Sequence, residues 1–335
     1  MNIQTVIAEY IENSSEYKLT DEELKTIKHE GINKFIFNKL NSSKYRASAI
    51  ADDYKQKVID KIALCINHET PIHITLPFGA TKSPYLPTAP NIDWSEVFNI
   101  AYIRDYLKPI AGAYNMGVIL EYVSVAVFEE KVNRIPQKDT DVYDSQFTKL
   151  IEFYQQYLPK NFQLKYSRVS DEIPREKIEH QIDIKKEELR RNWEKQSKEV
   201  RDYKLCRARR NAIFDSNDEN AEDVVFEAAL GHDSFCSECW TTDTAPWDKK
   251  HMITLGHTYT KGWAIHVRSA PGSTINFWSG TGVIVGKNNK LTPTVLSTSQ
   301  YNNIKQNIQN HEFAAEGLNK ISAYFNKIPV AKLDQ

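Results

Sequence analysis

Between residues 71 and 167, short apolar runs alternate with long amphipathic stretches, and few folds accommodate that order. The runs Pro71 to Phe78, Gly117 to Val123 and Phe162 to Ser167 have strand length. A helix is expected to begin near Asp93. A second is specified by Tyr143, Phe147, Leu150, Ile151, Tyr154 and Leu158, which follow i, i+4, i+7, i+8, i+11 spacing and form a single stripe. Such a stripe must lie against a sheet. Short strands joined by crossover helices favour right-handed βαβ units, so the expected class is α/β with a doubly wound, mostly parallel sheet. Ligands of such sheets sit beyond the carboxyl ends of the strands.

The remainder divides by composition. Residues 1–66 read as a helical leader, in which Thr20 and Glu23 have the spacing of a capping box, and residues 67–170 form the βαβαβ core. Residues 171–230 are a densely charged arm, a long helix or helical hairpin whose sparse apolar positions include Ile178, Ile182, Leu189 and Trp193. Residues 231–335 read as a β-rich extension that completes the site. Strands are expected in WAIHVRS, STINFW, GVIVGK and LTPTVL, mostly antiparallel, followed by a helix from about Ser299 to Phe325.

With 43 basic and 44 acidic residues there is no global field to draw the chain onto nucleic acid or an anionic membrane. No apolar run approaches the ~20 residues that span a bilayer, and charges interrupt the first turns, so neither a membrane span nor a signal peptide is expected. Four cysteines form no disulfide framework in so long a chain, which suits free thiols in a reducing cytoplasm. The arm reads first as a solvated face with a packing seam. A lid, a homodimer contact, and a nucleic-acid or protein-binding surface around Arg190, Arg191, Arg207, Arg209 and Arg210 are the alternatives.

The most informative segment is PIHITLPFGATKSPYLPTAPNIDWSEVF, a strand running into a proline-stiffened loop that opens onto a helix. Lys82 in that loop is the first-choice cation for an anion or a carbonyl, Asp93 fits a helix cap, and Glu96 sits in the first turn. Late in the chain, Arg268 offers a planar fork for carboxylate or phosphate. His266, two strand residues earlier, is expected on the same face as an acid or base, although an imidazole packed within a sheet fits the position equally. Glu121 and Ser124 close a central strand and are weaker candidates. Cys236 and Cys239 form one CxxC that His232 could join, but structural zinc needs four ligands and the second cysteine pair is missing, so no metal is expected. Trp240, Trp247, Trp263, Phe277 and Trp278 could wall a pocket for an aromatic substrate or fill the core.

Leu76, Pro77, Phe78, Lys82, Asp93, Glu96, Ser124, Val127 and Phe128, in LPFGATK, NIDWSE and EYVSVAVF, resemble the ordered motifs of the isocyanide (isonitrile) synthase family of the paerucumarin and dityrosine pathways. WAIHVRSAP is similar to that family's late strand and sets Arg268 at its arginine. The chain departs from the pattern in three places: three residues separate Phe78 from Lys82, Ala126 replaces a glycine, and a late Thr-Pro-Trp-His motif is reduced to Thr292-Pro293. The resemblance implies a Rossmann-like fold and condensation of an aromatic amino acid's α-amine with the C2 ketone of ribulose 5-phosphate, with no cofactor and no metal. Together with the reading of His266 and Glu121 above, it puts Lys82, His266 and Glu121 in catalysis and Arg268, Asp93, Glu96 and Ser124 in substrate binding, with a downstream oxygenase as functional partner. A catalytically lapsed member of the family is the other outcome compatible with the departures.

Overall fold

The computed structural model describes residues 3–12, 16–238, 248–249, 251–257, 262–273, 275–287, 290–313 and 317–332, without the side chains at 6, 9 and 235–238. Four helices precede the first strand: α1 (Ile3–Glu12), α2 (Asp21–Glu30), α3 (Ile32–Leu40) and α4 (Asp52–Asn67). The Thr20 hydroxyl accepts from the Glu23 amide while the Glu23 carboxylate accepts from the Thr20 amide, the reciprocal cap expected there.

The core alternates as expected, from β1 (Ile72–Phe78) through α5 (Trp94–Ala113), β2 (Val118–Ser124), α6 (Ala126–Asn133) and α7 (Gln137–Gln155) to β3 (Phe162–Arg168). The arm follows as a short α8 (Val169–Glu172), then α9 (Arg175–Arg191), α10 (Lys198–Asn211) and α11 (Ala221–Glu238). Next come β4 (Met252–Gly256) and β5 (Ile265–His266), then β6 (Thr281–Lys287), β7 (Lys290–Leu296), α12 (Thr298–Ile304), β8 (Ile308–Glu312) and β9 (Lys327–Lys332).

The first sheet is parallel throughout with strand order β3-β2-β1-β4-β5. The order reverses between β1 and β4, which is the point at which doubly wound sheets open a crevice for ligands. Phe78, Ser124 and Arg168 are in register along the carboxyl edge. Tyr143, Phe147, Leu150, Ile151 and Tyr154 of the expected stripe are buried on α7, whereas Leu158 lies past the helix end at Gln155 and is only half-buried.

Helix α5 is buried almost all round, which a single amphipathic stripe cannot explain. It lies between the parallel sheet and a second sheet of order β7-β6-β9-β8, and its Arg104 donates to the carbonyls of Tyr10 and Ile11 at the end of α1.

Three expectations for the last third are corrected. WAIHVRS and its neighbour β4 join the parallel sheet, because register with β1 puts Ile253 and Leu255 into the main core. STINFW supplies only a 3-10 turn at Phe277–Ser279. The helix from Ser299 ends at Ile304, and β8 and β9 take its place, with β9 held parallel to β6 and antiparallel to β8. That pairing is non-local, so no periodicity within the segment announces it. Among the described residues no helix is long and apolar enough to cross a membrane.

Candidate active site at the carboxyl ends of the parallel strands

The loop after β1 is fixed from several sides. Asp93 caps α5 by accepting from the Ser95 amide at 2.7 Å, and Glu96 accepts from the Asp93 amide at 2.8 Å. Lys82 Nζ enters this cap, 2.9 Å from Glu96 Oε1, 3.1 Å from Asp93 Oδ1 and 2.6 Å from Ser95 Oγ. An ammonium has three protons and all are engaged, so Lys82 has no donor left for a ligand. Two carboxylates share one buried cation: burial raises the Glu96 pKa, Asp93 adds to the rise and Lys82 opposes it. Tyr143 donates to the same carboxyl at 3.0 Å.

Arg268 is placed elsewhere. Its guanidinium donates to the carbonyls of Ser43 at 3.2 Å and Lys44 at 3.0 Å in the leader, partners that Lys82 does not share. His266, half-buried, has Nδ1 3.1 Å from Ser48 Oγ and Nε2 3.3 Å from the His257 carbonyl, and burial lowers its pKa. Glu121 lies in the middle of β2, three residues short of the edge, where His73 at 2.7 Å and Ser167 at 2.5 Å bond it and hold its pKa down. Of the expected residues, then, Lys82, Asp93 and Glu96 meet in one cluster and Ser124 lies at the edge, whereas Arg268, His266 and Glu121 have separate surroundings. The Cys236 side chain and Cys239, Trp240 and Trp247 lie outside the described residues, and among the described residues no three groups could hold a metal ion.

The edge itself is built by residues that the sequence did not single out. Asp144 of α7 bonds the Tyr166 hydroxyl, lies 2.9 Å from Arg168 Nε and accepts from Ser124 Oγ at 3.4 Å; burial pushes its pKa up to about 6. Arg168 is half-exposed, a guanidinium at the strand ends that solvent reaches.

One strand nearer the switch point, the Glu129 carboxyl of α6 lies against Gly79, the first residue after β1. A Cβ on Gly79 would stand 2.2 Å from Glu129 Oε1 and 2.9 Å from Trp278 Nε1. Only glycine permits that approach. Glu129 Oε2 accepts from Asn133 Nδ2, and Asn133 Oδ1 lies 2.8 Å from His232 Nε2. Burial pushes Glu129 up to about 7, whereas burial and Arg207 push His232 down to about 3, so His232 is neutral.

Phe78, Tyr122, Phe277 and Trp278 floor the region, and His257, neutral because burial lowers its pKa to about 4, stands 5.9 Å from Trp278. Sequence could have flagged Glu129 by one signal, its place in the first turn of a helix that directly follows a parallel strand.

No family model matches the chain, and no curated protein matches it. Among solved structures, the crystal structure of the PvcA protein from Pseudomonas aeruginosa matches over 90% of this chain and 100% of its own, with a TM-score of 0.65 and 15% identity. The chain has the PvcA fold. Because the match covers the whole of PvcA, the shared architecture extends past the nucleotide-fold-like centre to the surrounding elements.

Proposed function

We propose that this protein is an isonitrile-synthase-like biosynthetic enzyme that condenses the α-amine of an aromatic amino acid with the C2 ketone of ribulose 5-phosphate at the strand ends. One observation carries the reading: the residues of the family resemblance between Leu76 and Phe128 fall at the strand ends of a fold shared with PvcA. Leu76, Pro77 and Phe78 finish β1, Asp93 and Glu96 open α5, Ser124 finishes β2, and Val127 and Phe128 begin α6. In this reading Lys82 positions the β1 loop from within its carboxylate cage, and Arg168, half-exposed although its Nε pairs with Asp144, turns the rest of its guanidinium to a substrate phosphate or carboxylate.

The alternative based on the basic arm has less support. Of the five arginines, Arg190, Arg207 and Arg209 are paired with Glu227, Asp233 and Glu222, which lowers the charge available to phosphates. The test is to incubate purified protein with tyrosine or tryptophan and ribulose 5-phosphate and to follow both by mass spectrometry. Isonitrile formation is expected; unchanged substrates remove this reaction.

A further inference from the structure

Glu129 belongs to none of the motifs that carry the family resemblance, yet it is the carboxyl placed most directly over the end of β1. We propose that Glu129 is the acid–base residue of the site, held in place by Asn133 and His232 as positioning residues. The inference rests on the functional reading above and adds to it the group that moves the protons.

Three features of geometry carry it. Oε1 makes no hydrogen bond to any described residue and converges with Trp278 Nε1 over Gly79, at the switch-point end of β1. Oε2 is anchored through Asn133 to His232, which comes from a different helix, so the carboxyl is held at the strand end. The chain of groups also satisfies both protonation states. With Glu129 ionised, His232 Nε2–H donates to Asn133 Oδ1 and the amide donates to the carboxylate. With Oε2 protonated, a turn of the amide reverses both bonds, with the proton of neutral His232 on Nδ1.

The charged groups of the surrounding helices do not fix its charge. Arg175 pairs with Glu130 and Glu179, Lys131 with Asp183, Lys204 and Arg207 with Asp233, and Arg168 with Asp144. The buried carboxyl consequently titrates near neutral pH, which suits a group that both gives and takes a proton.

The chemistry balances through this one group. As the amine nitrogen attacks the ketone carbon, the C=O π pair moves to oxygen, which takes the Glu129 proton, and the carboxylate then accepts a proton from nitrogen. When the resulting carbinolamine collapses, Glu129 again protonates the hydroxyl, which leaves as water, and takes the second nitrogen proton. Imine and water form, and Glu129 returns to its starting form.

The test uses the full chain, the substrates named above, and a carboxyl infrared titration that needs no substrate. For Glu129→Gln, which keeps the bulk and the contact to Asn133, kcat is expected to fall about 10²–10⁴-fold with KM little changed, and the limb of kcat/KM that descends above neutral pH is expected to vanish. Asn133→Leu should move that limb to higher pH, because the described hydrogen bond to the carboxylate is gone; a purely structural Asn133 would lower activity without moving it. In the infrared titration the wild-type-minus-Glu129→Gln difference should contain a protonated carboxyl band with a midpoint near 7, beside the band of Glu96 that both proteins keep. Undiminished turnover by Glu129→Gln alongside an active wild type overturns the inference alone. An infrared spectrum unchanged by Glu129→Gln overturns the proton-transfer role whatever the substrate. An inactive wild type instead removes the functional reading on which the inference rests.

Discussion

Lys82 shows how the charge on a residue can be used up by the fold. In sequence it is the lone cation of a strand-end loop; in the molecule its ammonium sits between Asp93 and Glu96 and is fully buried. Lys82→Met should leave two carboxylates buried without a cation and cost about 3–5 kcal/mol in urea unfolding. Glu129 has the opposite economy. Its folded pKa of about 7 exceeds the ordinary 4.5, so the folded state holds a proton that the unfolded state has lost. The stability this contributes is fully present below pH 4.5 and is lost as pH rises through 7. Glu129→Gln is therefore expected to match the wild type in acid and to be more stable by roughly 1–3 kcal/mol at alkaline pH, as followed by urea unfolding across pH. Gain of stability with loss of turnover is the signature of a strained functional group.

Two glycines separate packing from function at the scale of the element. Gly282 of β6 lies against the start of α5, where an added Cβ would meet Ser95 N at 2.2 Å and the Trp94 carbonyl carbon at 2.3 Å. Backbone cannot yield as a side chain can, so Gly282→Ala should cost about 3 kcal/mol or more, or abolish folding, as read by thermal unfolding and soluble yield. Gly79→Ala meets side chains first, the Glu129 carboxyl and the Trp278 indole. It should lower the melting temperature less than Gly282→Ala does while displacing the carboxyl, which the infrared titration would report.

The arm is likewise more than a charged surface. Ile178, Ile182, Trp193, Val225 and Ala229 form a second core with Val127, Phe128 and Val132 of α6, and this packing delivers His232 to Asn133. The ion pairs between its helices, each worth about 0–1 kcal/mol at an exposed site, add little to that apolar seam.

For the whole molecule, the division into a large core around α5 and the parallel sheet and a smaller one under the arm predicts graded stability. In native-state hydrogen exchange, amides of β1, β2 and α5 should be protected up to the global unfolding free energy, while those of α9 and α10 open at lower cost as a separate unit. Equal protection throughout would show that the two cores unfold together.

The chain's own pattern determined the alternation of strands and helices from residue 71 to 168, the caps at Thr20 and Asp93, and the buried stripe of α7, because propensity, periodicity and capping act over a few residues. Only the tertiary structure decided that β4 joins β1, that β9 replaces a helix by pairing with β6, that Lys82 is enclosed while Arg268 turns to the leader, and that Glu129 faces Gly79. Each of those depends on partners tens to hundreds of residues away, and the energy of a strand pairing or a buried charge is set by the partner it meets rather than by its sequence neighbours.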